Sequence, residues 1–134
     1  MFLLAGCEPS NSPASGNSLS RWYTPAQAEQ GKVLFQANCA VCHGVNAEGT
    51  ADWFKLDANG KFPPPPLDGS AHAWHHPLAD LQRVVKEGGA PFGGTMPAFG
   101  TTLDDEEIRS AIAYFQQQWP DDIYERWTKI DNAR

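Results

Sequence analysis

Apolar residues recur at helical spacing in three stretches of the chain. The first opens at Thr24-Pro25-Ala26-Gln27, where Thr24 can cap, Pro25 suits a first helical turn and Gln27 completes a capping box. Val33, Leu34 and Ala37 then form an apolar stripe. The second stretch runs from His76 to Gly89. Its Leu78, Leu81, Val84 and Val85 share one face, and Gly88-Gly89 stop it. The third runs from Asp104 to Trp119, with Ile108, Ala111, Ile112, Phe115 and Trp119 in register. Asp104 is placed to cap it and Glu107 stands at the third helical position. The acidic run suits the positive helix end, and Pro120 ends the pattern. Beyond it, Ile123, Trp127 and Ile130 predict a short docked helix that covers an apolar patch.

Composition narrows what these elements can build. The 134 residues suffice for one domain. Eleven prolines and twelve glycines give loops a large share of it. Ten basic against sixteen acidic side chains leave a net charge of −6, which disfavours nucleic acid as a partner. No internal apolar run approaches the roughly 20 residues of a membrane-spanning helix. Three cysteines cannot all pair within one chain, so each needs its own explanation.

Cys7 follows Leu4-Ala5-Gly6 and resembles the lipobox of bacterial lipoproteins, in which the signal peptide is cut before a cysteine that carries lipid. On that reading 1–6 is the remnant of a signal whose upstream part is missing, and Cys7 is the lipidation site. The alternative is a plain or truncated secretory signal. Residues 8–20 are rich in Ser, Asn, Pro and Gly, the composition of a flexible tether, so 7–20 reads as lipid anchor and tether.

Cys39-Ala40-Val41-Cys42-His43 has the C-x-x-C-H spacing of a c-type haem attachment site. Two thiols one helical turn apart can reach the two vinyl groups on one porphyrin edge, and His43 can then ligate the iron. Half a zinc site would need a second ligand pair, and no second C-x-x-C exists. A thioredoxin-like motif would need a βαβ pattern around it. Met96 is the one methionine besides Met1, and glycines on one side with Pro97 on the other constrain its loop. Its thioether is a soft, neutral ligand that raises a haem potential; the competing role is core filler. The loop His72-Ala73-Trp74-His75-His76 allows three roles. A histidine could replace Met96 on iron, or the group could bind copper or zinc. The favoured reading has it line the haem edge, with the Trp74 N–H or a histidine bonding a propionate, and the next is a plain solvated loop.

These motifs together resemble the class I monohaem cytochromes c over about 24–119. Gly93-Gly94-Thr95-Met96-Pro97-Ala98-Phe99 resembles the family's methionine loop, and Pro65-Pro66-Leu67-Asp68-Gly69 its P-x-L-x-G loop. The resemblance implies an all-α cytochrome c fold, loop-rich, with three to five helices around one covalent haem c. Its domain would span 21–120, with 121–134 as a C-terminal extension. It implies His43 and Met96 as iron ligands, and a proline carbonyl that accepts from the His43 ring. That carbonyl maps onto Pro65, although Pro64 and Pro66 are also in reach of the register. Gly31 and Phe35 resemble the family's helix-crossing pair, with Tyr114 as the aromatic that faces Gly31.

The function implied is one-electron transfer without catalysis, on the periplasmic face of a bacterial inner membrane to which the lipid at Cys7 ties the chain. Redox partners would be a quinol–cytochrome c oxidoreductase, a terminal oxidase or a dehydrogenase. The alternative is a cytochrome c subunit bound permanently in a membrane oxidase or dehydrogenase complex. A haem sensor or peroxidase would require Met96 to leave the iron.

Overall fold

The structure, a computed structural model, describes residues 19–133. Cys7 and the tether up to residue 18 lie outside the described residues. Five α-helices follow in order: α1 (Pro25–Asn38), α2 (Ala40–His43), α3 (Leu78–Glu87), α4 (Asp105–Gln117) and α5 (Asp121–Asp131). Short 3-10 turns occur at His72–His75 and Ala90–Phe92. Among the described residues there is no strand, only an isolated bridge between Phe62 and Gly94.

The frame is the crossing of α1 and α4. Gly31 makes it close: a Cβ there would collide with the backbone carbonyl of Ser110. Phe35 and Tyr114 pack beside that point with ring centroids 5.0 Å apart. At this crossing Gly31 meets the Ser110 backbone, and Tyr114 from α4 packs on Phe35, one turn further along α1. The Tyr114 hydroxyl donates to the Val45 carbonyl at 3.1 Å and so ties α4 to the loop after α2.

Helix ends follow local chemistry. Asp104 and Glu107 form a reciprocal capping box, with Glu107 N–H on the Asp104 carboxylate at 2.8 Å and Asp104 N–H on that of Glu107 at 2.9 Å. At α1 only half of the box forms. Thr24 accepts from Gln27 N–H at 3.1 Å, but the Gln27 side chain donates to Glu106 on α4 at 2.8 Å. The second helix starts at Leu78, two residues later than the periodicity reads, because Pro77 takes the extended capping position. Leu78 N–H, an orphan of the first turn, donates to Asp131 at the end of α5 at 2.7 Å.

The α5 helix packs on the core through Tyr124 and Trp127, both almost fully buried. Trp127 Nε1–H donates to the His76 carbonyl at 2.9 Å. With the Asp131 contact, α5 holds both ends of the junction between the histidine loop and α3. The chain before α1 is fastened to the same corner. Trp22 Nε1–H donates to Gln116 Oε1 at 2.6 Å, and Trp22 N–H to the Tyr124 hydroxyl at 3.1 Å.

Candidate haem site

The C-x-x-C-H segment turns where α1 gives way to α2. Cys39 is the junction residue, and its N–H still bonds the Phe35 carbonyl at 2.8 Å. Cys42 and His43 lie on α2 and donate back to the Cys39 carbonyl at 3.1 and 2.9 Å. Gly44 ends the turn with φ of 81°, a conformation that favours glycine. Cys39 is half-buried and Cys42 exposed. Burial, with a smaller contribution from Cys42, pushes the Cys39 thiol up to about 11.

His43 is buried, and its Nδ1 lies 2.8 Å from the Pro65 carbonyl. A carbonyl only accepts, so Nδ1 carries the proton and Nε2 keeps its lone pair for a ligand. Burial holds the His43 ring below its ordinary pKa, partly offset by the Pro65 bond, so the imidazole is neutral, as a metal ligand must be. Among the three prolines the register allows, it is Pro65 whose carbonyl is in place. The loop is stitched by Gly49 N–H to the His43 carbonyl (2.7 Å), Leu67 N–H to Ala47 (2.7 Å) and Thr50 N–H to Pro64 (2.9 Å). Gly49, at φ 59°, lets this loop lie against the Pro65–Pro66 peptide, where a Cβ would collide. Trp119 Nε1–H donates to the Leu67 carbonyl at 2.7 Å and fixes the loop to the core.

Met96 is held by the C-terminal end of α3. Gly89 N–H donates to the Met96 carbonyl at 2.9 Å and Gly94 N–H to Gly89 at 3.1 Å. Phe99 and Gly100 N–H donate to Val85 and Lys86, each at 3.0 Å. A Cβ on Gly88 would crowd the Met96–Ala98 backbone, and Gly88 has φ of 88°. Gly88 and Gly89 therefore stop a helix and also seat the methionine loop. The sequence pattern shows only the stop.

These segments surround a cleft of about 600 Å³. Cys39, Cys42, His43, Pro65 and Met96 all line it, with Leu81, Val84, Val85, Phe99 and Phe115 among its apolar walls. Trp53, Phe54, Phe62, His72, His76 and Arg83 line it as well. A flat, largely apolar group with a few polar substituents fits such a lining. Haem c meets that description, and the donor set is one thiol pair, one neutral imidazole and one thioether.

Trp74 is not among the cleft-lining residues. Its ring packs against His75 at 3.9 Å between centroids and against the edge of the core. The aromatic N–H residue on the cleft is Trp53, stacked on His72 at 4.6 Å and 11°. The sequence reading missed Trp53, which lies in an irregular segment with no periodicity to mark it. Among the described residues no group of three or more His, Cys, Asp or Glu side chains could hold a metal ion, so the copper or zinc reading of the histidine loop has no support there. Among those residues no helix is long and apolar enough to cross a membrane.

Comparison with known proteins agrees with this geometry. Residues 26–115 match the family model described as cytochrome c oxidase, cbb3-type, subunit III. The chain is 36% identical over 89 residues to the cbb3-type cytochrome c oxidase subunit CcoP of Azospirillum brasilense, which covers 66% of this chain and 28% of that protein. It is 35% identical over 95 residues to cytochrome c6 of Picosynechococcus, covering 69% of this chain and 74% of that one. Cytochrome c6 of Tetradesmus obliquus is 34% identical over 90 residues, covering 66% and 86%. The chain thus spans about a quarter of the CcoP subunits it matches and most of the cytochromes c6. No solved structure gives a significant match. The chain belongs to the cytochrome c family that this subunit III model describes, with the all-α fold of a class I monohaem cytochrome c and one covalently bound haem c.

Proposed function

We propose that this protein is a one-electron carrier whose haem c is attached through Cys39 and Cys42 and ligated by His43 and Met96. One observation carries the reading: both thiols, Met96 and a His43 ring already oriented by the Pro65 carbonyl line a single apolar cleft. Haem c supplies a one-electron ferric–ferrous couple. The protein's part is to fix and tune it. Cys39 and Cys42 would hold the haem through thioether bonds to its two vinyl groups, which would leave neither cysteine for a disulfide. Pro65 fixes the His43 tautomer and ring orientation. Met96, seated on Gly88 and Gly89, gives a soft neutral ligand that favours the reduced state. With His43 and Met96 both as ligands, no coordination site would remain for a substrate, in keeping with transfer rather than catalysis. The apolar walls exclude water, and the exposed Cys42 edge is where a partner can approach.

In this reading Cys7 carries lipid and the tether keeps the domain at the periplasmic face of the inner membrane. The partners are a quinol–cytochrome c oxidoreductase and a terminal oxidase or dehydrogenase, met in brief encounters. A second reading, a haem subunit held permanently in a membrane oxidase, is supported by the relatives named CcoP and FixPc. Affinity purification from native membranes separates the two: co-purification of an oxidase in fixed ratio supports the subunit, and its absence the carrier. The attachment itself is tested on a denaturing gel stained for haem. The wild-type band should stain and resist acid–organic extraction, and Cys39→Ala with Cys42→Ala should abolish staining. An extractable haem would overturn the assignment.

A further inference from the structure

The histidine loop contains one side chain whose bonding is incomplete. His72 lines the cleft, yet its Nδ1 is sealed from solvent and has no hydrogen-bond partner. Its plane is fixed by the stack on Trp53, and His76 meets its edge at 5.5 Å. The loop itself is immobilised from outside the matched region 26–115, through Trp127 on the His76 carbonyl and Asp131 on Leu78 N–H. A buried nitrogen without a partner is tolerated better as a bare lone pair than as an N–H. The ring proton therefore belongs on Nε2, which makes this cleft-lining side chain a donor. Burial, then the neighbouring His76 and His75, hold His72 below its ordinary pKa, so this is a neutral donor near pH 7.

Haem c brings two propionate carboxylates that need donors. The charged side chains on the cleft, Asp80 and Arg83, are engaged with each other at 3.2 Å, and the Arg83 guanidinium also lies over Phe92. We propose that His72, braced by Trp53, donates a hydrogen bond from Nε2 to a carboxylate of the group held in the cleft, a haem propionate. The inference rests on the haem reading above. Its consequence is a setting of the reduction potential: a donor on the propionate withdraws negative charge from the haem edge and raises the potential. His75, exposed and packed on Trp74, has no such role.

The test uses the mature holoprotein in three variants, His72→Leu, His72→Gln and His75→Leu. Each is checked first for covalent haem and for the far-red sulfur–iron band. His72→Leu should keep both and shift the potential downward. His72→Gln, which retains an N–H donor, should recover most of the shift, and His75→Leu should match wild type. A wild-type potential in His72→Leu, or equal falls in the Leu and Gln variants, would overturn the proposal. If His72→Leu does not mature, nitrogen-15 NMR of the ferrous wild type decides. A single Nε2–H tautomer with a slowly exchanging proton supports the bond, and averaging tautomers contradict it. Failure of the haem reading is a different result, the absence of covalent haem from wild type.

Discussion

Single side chains set the tightest constraints on this molecule. Gly31 touches the Ser110 backbone, so Gly31→Ala must push α1 and α4 apart. We expect a loss of about 1–3 kcal/mol, the usual range for overpacking, measured by urea unfolding of the holoprotein. Tyr23 makes a prediction in pH. Burial pushes its phenol up to about 12 from 10.0, against the pull of the Arg21 guanidinium. The folded state holds this proton more tightly than the unfolded one. Its contribution is therefore intact below about pH 10 and is lost as pH rises from there to about 12. Tyr23→Phe should be within about 1 kcal/mol of wild type at pH 7 and lose less stability over that alkaline interval. Tyr124, also raised by burial, keeps a part of the alkaline loss in place.

Among the helices, α5 links two regions that the sequence presents as unrelated. It fastens the segment before α1 through Tyr124 and the histidine loop through Trp127. Trp127→Ala should cost about 3–5 kcal/mol by cavity formation, read as a lower unfolding midpoint of the holoprotein. It should also lower the potential in the direction of His72→Leu, because the loop that carries His72 loses its anchor; an unchanged potential would separate α5 from the cleft.

Periodicity made α3 and α4 legible: Leu78, Leu81, Val84 and Val85 mark α3, and Ile108 to Phe115 mark α4, whereas α1 buries Ala28, Gly31 and Phe35 and leaves Val33 and Ala37 of the expected stripe exposed. Capping chemistry placed the start of α4 at Asp104, whose box forms in full. The same pattern misled at Gln27, because its side chain finds Glu106, a partner 79 residues away that no local rule reveals. Trp74 and Trp53 show the same limit. Both are tryptophans in irregular chain, and only the tertiary path of residues 44–76 decides which reaches the cleft. Gly88 and Gly89 read as a helix stop, while their seating of Met96 depends on a loop that returns from residue 94 onward.

At the scale of the whole molecule, the helices serve to bring a thiol pair, an oriented imidazole and a thioether to one apolar cleft. The site chemistry was readable because the C-x-x-C-H spacing is covalent chemistry and does not depend on the fold. The arrangement around it was legible only in part: the histidine loop and a docked last helix can be read from the sequence, but the stacking of Trp53 on His72 and the Trp127 bond to that loop exist only in three dimensions. The central claim is that Met96 completes the iron's coordination in a carrier, and the oxidised spectrum of the holoprotein tests it most directly. Wild type should be low-spin with the weak sulfur-to-iron band in the far red. Met96→Ala should remove that band, lower the potential and admit small ligands to the iron, while His72, His75 and His76 variants keep the band. A wild-type spectrum without the band, or one that survives in Met96→Ala and vanishes in a histidine variant, would contradict the account.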